Sequence, residues 1–460
     1  LSAHTLSHTL SPPQPARGKC QTPGSGLPES STRHTVRSMI FSPASLHPRI
    51  GRLRRRGQPP FGNWLFGLVL SMAGVSAAEA ERALGSEPMF VYFGTYTGNA
   101  SKGIYLSRFD LGTGRLSAPE LAAEMVNPAF LALHPGRRFL YAVNEVGSFQ
   151  GQSGGAVSAL AIDPATGRLT LLNQESARGG GPCHLTVDPS GKALLVANYG
   201  GGSIAVLPLR PGGELDPVRA FVQHTGSSVN PRRQTAPHAH GIYVDAANRF
   251  VFVPDLGLDK VLIYRWHPAT FGLQPHDPPA AGLAPGAGPR HMAFHPGGRY
   301  AYVINELLST ITAFGYDPQS GSLHEIQTVG TLPEDFAGLN STAEIEVHPS
   351  GRFLYASNRG HDSLAMYAVD PATGRLALLG HEPTQGRTPR HFALDPTGQW
   401  LLAANQESAS VVVFRLDTQS GKLRPTGQAS RFPARCACCS GESIPVRSEE
   451  RRVGKECRSR

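Results

Sequence analysis

The chain alternates short apolar runs with Pro/Gly turns, and one unit of that alternation recurs along its length. Its clearest copy reads Gly-Pro-Arg290-His291-Met-Ala-Phe-His-Pro296-Gly-Gly298-Arg-Tyr-Ala-Tyr-Val-Ile-Asn305-Glu306. A polar opening leads into an apolar run, Pro and Gly mark a turn, and a second apolar run ends on Asn-Glu. Two such runs around a tight turn read as an antiparallel hairpin. The start of its first strand then lies beside the end of its second. Arg290 and His291 should share an edge with Asn305 and Glu306.

The second strand of this unit returns as Phe139–Asn144, Ala193–Asn198, Phe250–Asp255, Phe353–Asn358 and Trp400–Asn405, with a degenerate first copy at Phe90–Tyr96. The closing Asn/Asp positions 144, 198, 255, 305, 358 and 405 are spaced 54, 57, 50, 53 and 47 residues apart. A period near ~50 residues indicates a repeat architecture. Each unit continues into two more short runs around a second turn, such as Asp163-Pro-Ala-Thr-Gly167 and Asp370-Pro-Ala-Thr-Gly374. Pro presets φ there and Gly takes φ > 0. Four strands per unit is a propeller blade, and residues 88–428 carry no helical apolar period. The fold class is therefore all-β: one seven-bladed β-propeller of four-stranded blades spanning 88–428. Its ring is expected to close by the strand near Phe90 joining the last blade.

Composition changes little, but charge and the chain ends matter. The net charge of +9 resides in the ends: residues 1–80 hold nine Lys/Arg against two acids, and 429–460 hold eight against four. The +7 and +4 of the ends leave the remaining residues near −2. A nucleic-acid partner is therefore not expected. Arg54–Arg56 precede the apolar stretch Trp64–Val75 and the small-residue site Ala78-Glu79-Ala80, the layout of a signal peptide. Residues 1–80 are read as leader and signal peptide, with Met39 a candidate start. Export to the periplasm or medium is expected, with no membrane association after cleavage; the alternative is a cytoplasmic protein. Residues 429–460 lose the repeat and are read as a tail foreign to the fold. Of six cysteines only Cys183 falls in the repeats, so no disulfide framework is expected.

In a propeller the first strand of each blade lines the channel, so the hairpin openings form one rim. That rim gathers His184, His238, His240, Arg290, His291, Glu344 and Arg390, joined by Glu145, Asn198, Glu306 and Arg359 from the second-strand ends. The recurring Asn suits a structural role, and His134, His295 and His348 fall at the opposite, solvated end. Glu145, Glu306 and Arg359 put different chemistry in one slot, which structure alone would not require. His240, Arg290, Glu306 and Arg359 are the catalytic candidates. Glu145, His184, Asn198, His238, His291, Glu344 and Arg390 are the substrate-binding candidates. Arginine forks bind carboxylate or phosphate, and a carboxylate or imidazole beside them can move protons. No Gly-x-Ser-x-Gly elbow is present. The run Gly200–Gly202 lacks a P-loop context.

Four stretches, His238-Ala-His240-Gly, Pro289-Arg290-His-Met-Ala-Phe-His-Pro, Asn305-Glu306 and Ser357-Asn358-Arg359-Gly-His-Asp-Ser363, resemble the seven-bladed propeller lactonase family. That family holds bacterial 6-phosphogluconolactonases and fungal carboxymuconate-cyclising enzymes. The resemblance implies hydrolysis of a sugar lactone, 6-phosphogluconolactone or a related aldonolactone, without metal or other cofactor; a monomer is expected. It also implies His240, Arg290, Arg359 and Glu306 as catalytic residues. The alternatives are a carboxymuconate-cyclising enzyme, a metal-dependent lactonase using Glu145 and Glu344, and a non-catalytic exported binding propeller.

Overall fold

The computed structural model describes residues 89–98 and 101–432, together with the backbone of Cys436–Cys438 and Ile444–Pro445. The segment 1–80, read above as leader and signal peptide, and most of the region after 432 lie outside the described residues. Seven antiparallel sheets follow one another along the chain as seven blades. Blade 5 is the hairpin unit of the sequence, with strands Pro289–Phe294, Tyr300–Asn305, Thr310–Asp317 and Ser322–Gly330. Pro289 pairs with Asn305, which brings Arg290 and Glu306 to one edge as the hairpin reading requires.

The second strands read as unbroken apolar runs because both their faces are covered. Seven apolar clusters fill the seven gaps between blades. Alternate residues of one strand feed the two neighbouring gaps. Phe353 and Tyr355 enter the gap toward blade 7, whereas Leu354 and Ala356 enter the gap toward blade 5. Burying such side chains gives roughly 1.5–3 kcal/mol each.

Directional bonds then set the angle between blades. The buried hydroxyls of Tyr92, Tyr141, Tyr302 and Tyr355 donate to the carbonyls of Gly167, Gly213, Gly374 and Gly421 in the next blade, at 2.7, 3.0, 3.0 and 2.8 Å. The Trp400 indole donates to Leu111 O at 2.8 Å and links blade 7 to blade 1. Gly374 has φ +72°, and a Cβ there would lie 2.4 Å from the Tyr300 ring, so this turn requires glycine.

The ring closes in the opposite sense to the sequence expectation. Met89–Thr95 does not join blade 7, which supplies all four of its own strands. Instead it pairs with Gly103–Asp110 on one side and with Cys436–Cys438 on the other. Blade 1 thus takes its innermost strand from the far end of the sequence. The repeat period could not reveal this, because that strand stands alone, without its hairpin partner beside it in sequence. The fold extends past 428: the last strand of blade 7 is Leu423–Arg431, and Cys436–Cys438 belongs to the ring.

His134, His295 and His348 are also not simply solvated. Their Nε2 atoms donate to Gly191 O, Gly351 O and Gly398 O of the following blade, at 3.0, 2.9 and 2.8 Å. Nδ1 of His134 and of His295 accepts a backbone N–H two residues on, which fixes the tautomer.

Candidate active site

Several inner strands open with an irregularity that re-aims a side chain. In blades 3, 5 and 7 the register slips between Pro182 and His184, Pro289 and His291, and Pro389 and His391. Cys183, Arg290 and Arg390 are the extra residues. A bulge bends the strand and turns the added residue out of the ladder. For Arg290 this points the guanidinium at Glu306, on the same edge of the hairpin.

Glu306 is the centre of the cluster. Arg290 Nε lies 3.1 Å and Arg359 Nη2 3.0 Å from its Oε2, while Arg233 Nη2 lies 2.7 Å from Oε1. His240 Nε2 approaches Oε2 to 3.9 Å, too long for a direct hydrogen bond. The four sequence-predicted catalytic residues therefore converge, with Arg233 as a fifth. Burial would raise the Glu306 pKa, but Arg359, Arg290 and Arg233 overcome it and bring it to about 2. Burial, opposed by Glu306 and reinforced by Arg290 and Arg390, pulls Arg359 to about 9, so it remains a cation at neutral pH. Burial, then Arg290, His291 and Arg390, hold His240 well below the ordinary imidazole range. A fixed carboxylate, three cations and a neutral imidazole thus face one another.

The substrate-binding candidates divide into three groups. Glu145 and Arg390 lie on the same rim, joined through Tyr96: its hydroxyl donates to Glu145 Oε2 at 2.7 Å, and Arg390 Nη2 donates to Tyr96 at 3.4 Å. Burial raises the Glu145 pKa against the pull of Tyr96, Arg390 and Arg290. His238 stacks on Tyr199 with ring centroids 4.6 Å apart, beside His240.

His184, His291 and Glu344 instead form a buried layer beneath the arginines. Both Glu344 oxygens take Nδ1 of His291 at 3.1 Å, and Oε2 also takes Nδ1 of His391. Arg290 Nη1 lies 3.1 Å from His291 Nε2 and donates to Ala343 O at 3.2 Å. Burial lowers His291 to about 4 despite the attraction of Glu344. Phe130 packs on His184 at 4.3 Å. The lower side of this layer lines a channel cavity of about 420 Å³ with Tyr243, Met292 and Phe294. Its residues support Arg290 from below.

Asn198 is turned into the protein rather than toward the cluster. It is fully buried and donates to Ala177 O and Ser203 Oγ, both at 3.2 Å. Among the described residues no group of three or more His, Cys, Asp and Glu is arranged to hold a metal ion. Glu344 is committed to two imidazoles and Glu145 to Tyr96.

Sequence reasoning missed Arg233, Tyr199 and Tyr96. Arg233 stands in the strandless connection between Ala220–Gln223 and Ala239, and long connections of that kind are usually functional. That length was its only signal. Asp259 was missed too: its carboxylate accepts Gly286 and Gly288 N–H at 2.7 Å and Gln234 Nε2 at 2.7 Å. It thereby ties the Arg233 connection to the start of the Arg290 strand.

A propeller whose channel mouth carries this cluster belongs to the seven-bladed β-propeller lactonase family, whose model matches residues 90–439. The chain is 38% identical over 304 residues to the 6-phosphogluconolactonase of Bacillus subtilis, covering 66% of this chain and 84% of that protein. It is 34% identical to the 6-phosphogluconolactonase of Formosa agariphila, covering 66% and 86%. The solved structure of the periplasmic gluconolactonase of Pseudomonas aeruginosa superposes with a TM-score of 0.74 at 35% identity, covering 79% of this chain and 100% of that one.

Proposed function

We propose that the protein hydrolyses a sugar lactone, 6-phosphogluconolactone or a related aldonolactone, to its open-chain acid. The observation that carries this reading is Glu306 clasped by Arg233, Arg290 and Arg359 with neutral His240 3.9 Å away. The names of the related enzymes support it. Glu306 is a poor base, because its oxygens are occupied by guanidiniums and its pKa is depressed. His240 is the better proton acceptor. In this mechanism Nε2 of His240 takes a proton from a water that attacks the lactone carbonyl carbon. Arg290 and Arg359 stabilise the oxyanion that forms, and Glu306 stabilises the new imidazolium. The tetrahedral centre collapses, the ring C–O bond breaks, and the imidazolium returns its proton to the departing alkoxide. One water is consumed and one hydroxy acid released.

A panel of gluconolactone, its 6-phosphate and carboxymuconolactone tests this reading. Turnover of either sugar lactone, abolished in His240→Asn, supports it. Turnover of carboxymuconolactone alone would replace it with the cyclising reaction.

Export is part of the proposal. The Arg54–Arg56 cluster ahead of Trp64–Val75 supports it, and the Pseudomonas relative is named a periplasmic enzyme. Fractionating cells that make the native protein checks it. Finding the protein in the cytoplasm would refute export.

A further inference from the structure

The three arginines on Glu306 are not equivalent. Arg290 and Arg359 both engage Oε2, with side chains 1% and 12% exposed. Arg233 alone engages Oε1, and its side chain is 39% exposed. Its backbone is nevertheless held. Arg233 N–H donates to Asn230 Oδ1 at 3.2 Å, and the adjacent Gln234, fully buried, donates to Leu256 O and Asp259 Oδ1 at 2.8 and 2.7 Å. A fixed Cα with a part-exposed guanidinium is a pivot. Its second partner is the Tyr199 hydroxyl, at 3.1 Å. Three guanidiniums around one carboxylate leave a surplus of positive charge, and Arg233 is the one of the three that solvent reaches most.

We propose that Arg233 is the selectivity residue of this site, leaving Glu306 Oε1 to pair with a second anionic group on the substrate, remote from the lactone carbonyl. This rests on the lactonase reading and names the substrate class: lactones of sugar acids carrying phosphate or carboxylate at the far end of the chain. A guanidinium fork matches either anion. Arg290 and Arg359 remain on Glu306 and keep it ionised while Arg233 changes partner.

The test is calorimetric binding of three open-chain acids that differ only at carbon 6: 6-phosphogluconate, glucarate and gluconate. Wild-type protein should bind at least one of the first two about 10-fold or more tighter than gluconate, the effect of one charge-assisted pair. In Arg233→Gln that preference should fall below about 3-fold, and Arg233→Lys should restore part of it. Whether phosphate or carboxylate is favoured identifies the anion. No preference in wild-type protein, or an undiminished preference in Arg233→Gln, overturns the proposal. Because the readout is a binding ratio, it stands apart from turnover. Binding of all three acids without hydrolysis of any lactone would sink the proposed function and leave this inference to be judged on the ratio alone.

Discussion

The two ends of the channel carry the same polar residue types and use them oppositely. At the far end, one slot beside each hairpin turn holds His134, Asp188, Asp245, His295, His348 or Asp395. The imidazoles reach the next blade, and the aspartates close their own turns, as when Asp245 Oδ1 accepts Arg249 and Phe250 N–H at 2.6 and 2.7 Å. Every copy satisfies backbone. At the near end, the slot after the recurring Asn/Asp holds Glu145, Tyr199, Leu256, Glu306, Arg359 or Gln406. There the charged members pair with other side chains across blades, and Arg233, Arg290 and Arg390 around them bring a surplus of positive charge. Repetition marks the residues that build the ring, and departure from repetition marks the charged cluster at the channel mouth.

Substitutions at the two ends should separate these roles. Arg290→Ala should have the largest effect: it removes an oxyanion partner and leaves Glu306 with less compensation in a buried site. Breaking a buried pair costs about 3–5 kcal/mol, so urea unfolding should show a large loss of stability together with a loss of turnover. His240→Asn should lower kcat by ~10²–10⁴-fold through loss of the proton acceptor, with the melting temperature nearly unchanged. Steady-state kinetics and a thermal melt check it. At the far end, His295→Ala should cost roughly 1–2 kcal/mol by freeing the Gly351 carbonyl and the Gly297 N–H. Its kcat/KM should stay within about 2-fold of wild type; a larger activity loss would break the division between the ends.

Acid should act on the layer beneath the arginines. The folded His291 pKa of about 4 lies below the ordinary 6.5. Between those values the unfolded chain binds a proton that the folded protein does not, so stability falls as pH drops from 6.5 toward 4. The loss should be on the order of 2–3 kcal/mol, and His291→Asn should flatten that slope in melts recorded across the range.

Much of this was legible in sequence because a blade is local. Its hairpin, turn residues and apolar alternation lie within one period, so the blade count and the pairing of Arg290 with Glu306 followed from spacing. The ring closure was not legible, because Cys436–Cys438 pairs with a strand more than three hundred residues away and has no neighbour to identify it. The candidate set around Glu306 stood out because Glu306 and Arg359 break the repeat. Arg233 was not, because it belongs to no repeat position. Depth was also hidden: Glu344, His291 and Arg290 open equivalent strands, but the bulge sends Arg290 up to Glu306 while His291 turns down to Glu344.

The central claim is that the near-end cluster around Glu306 is a lactone-hydrolysing site. Its most direct test is the rate of acid release from gluconolactone and its 6-phosphate by wild-type protein and by Glu306→Gln. Both should be measured on samples whose circular dichroism shows an intact β fold. The account predicts turnover by wild type and a loss of ~10²-fold or more in the variant, because Gln can neither stabilise the imidazolium nor hold three guanidiniums. Equal rates from the two proteins would contradict it.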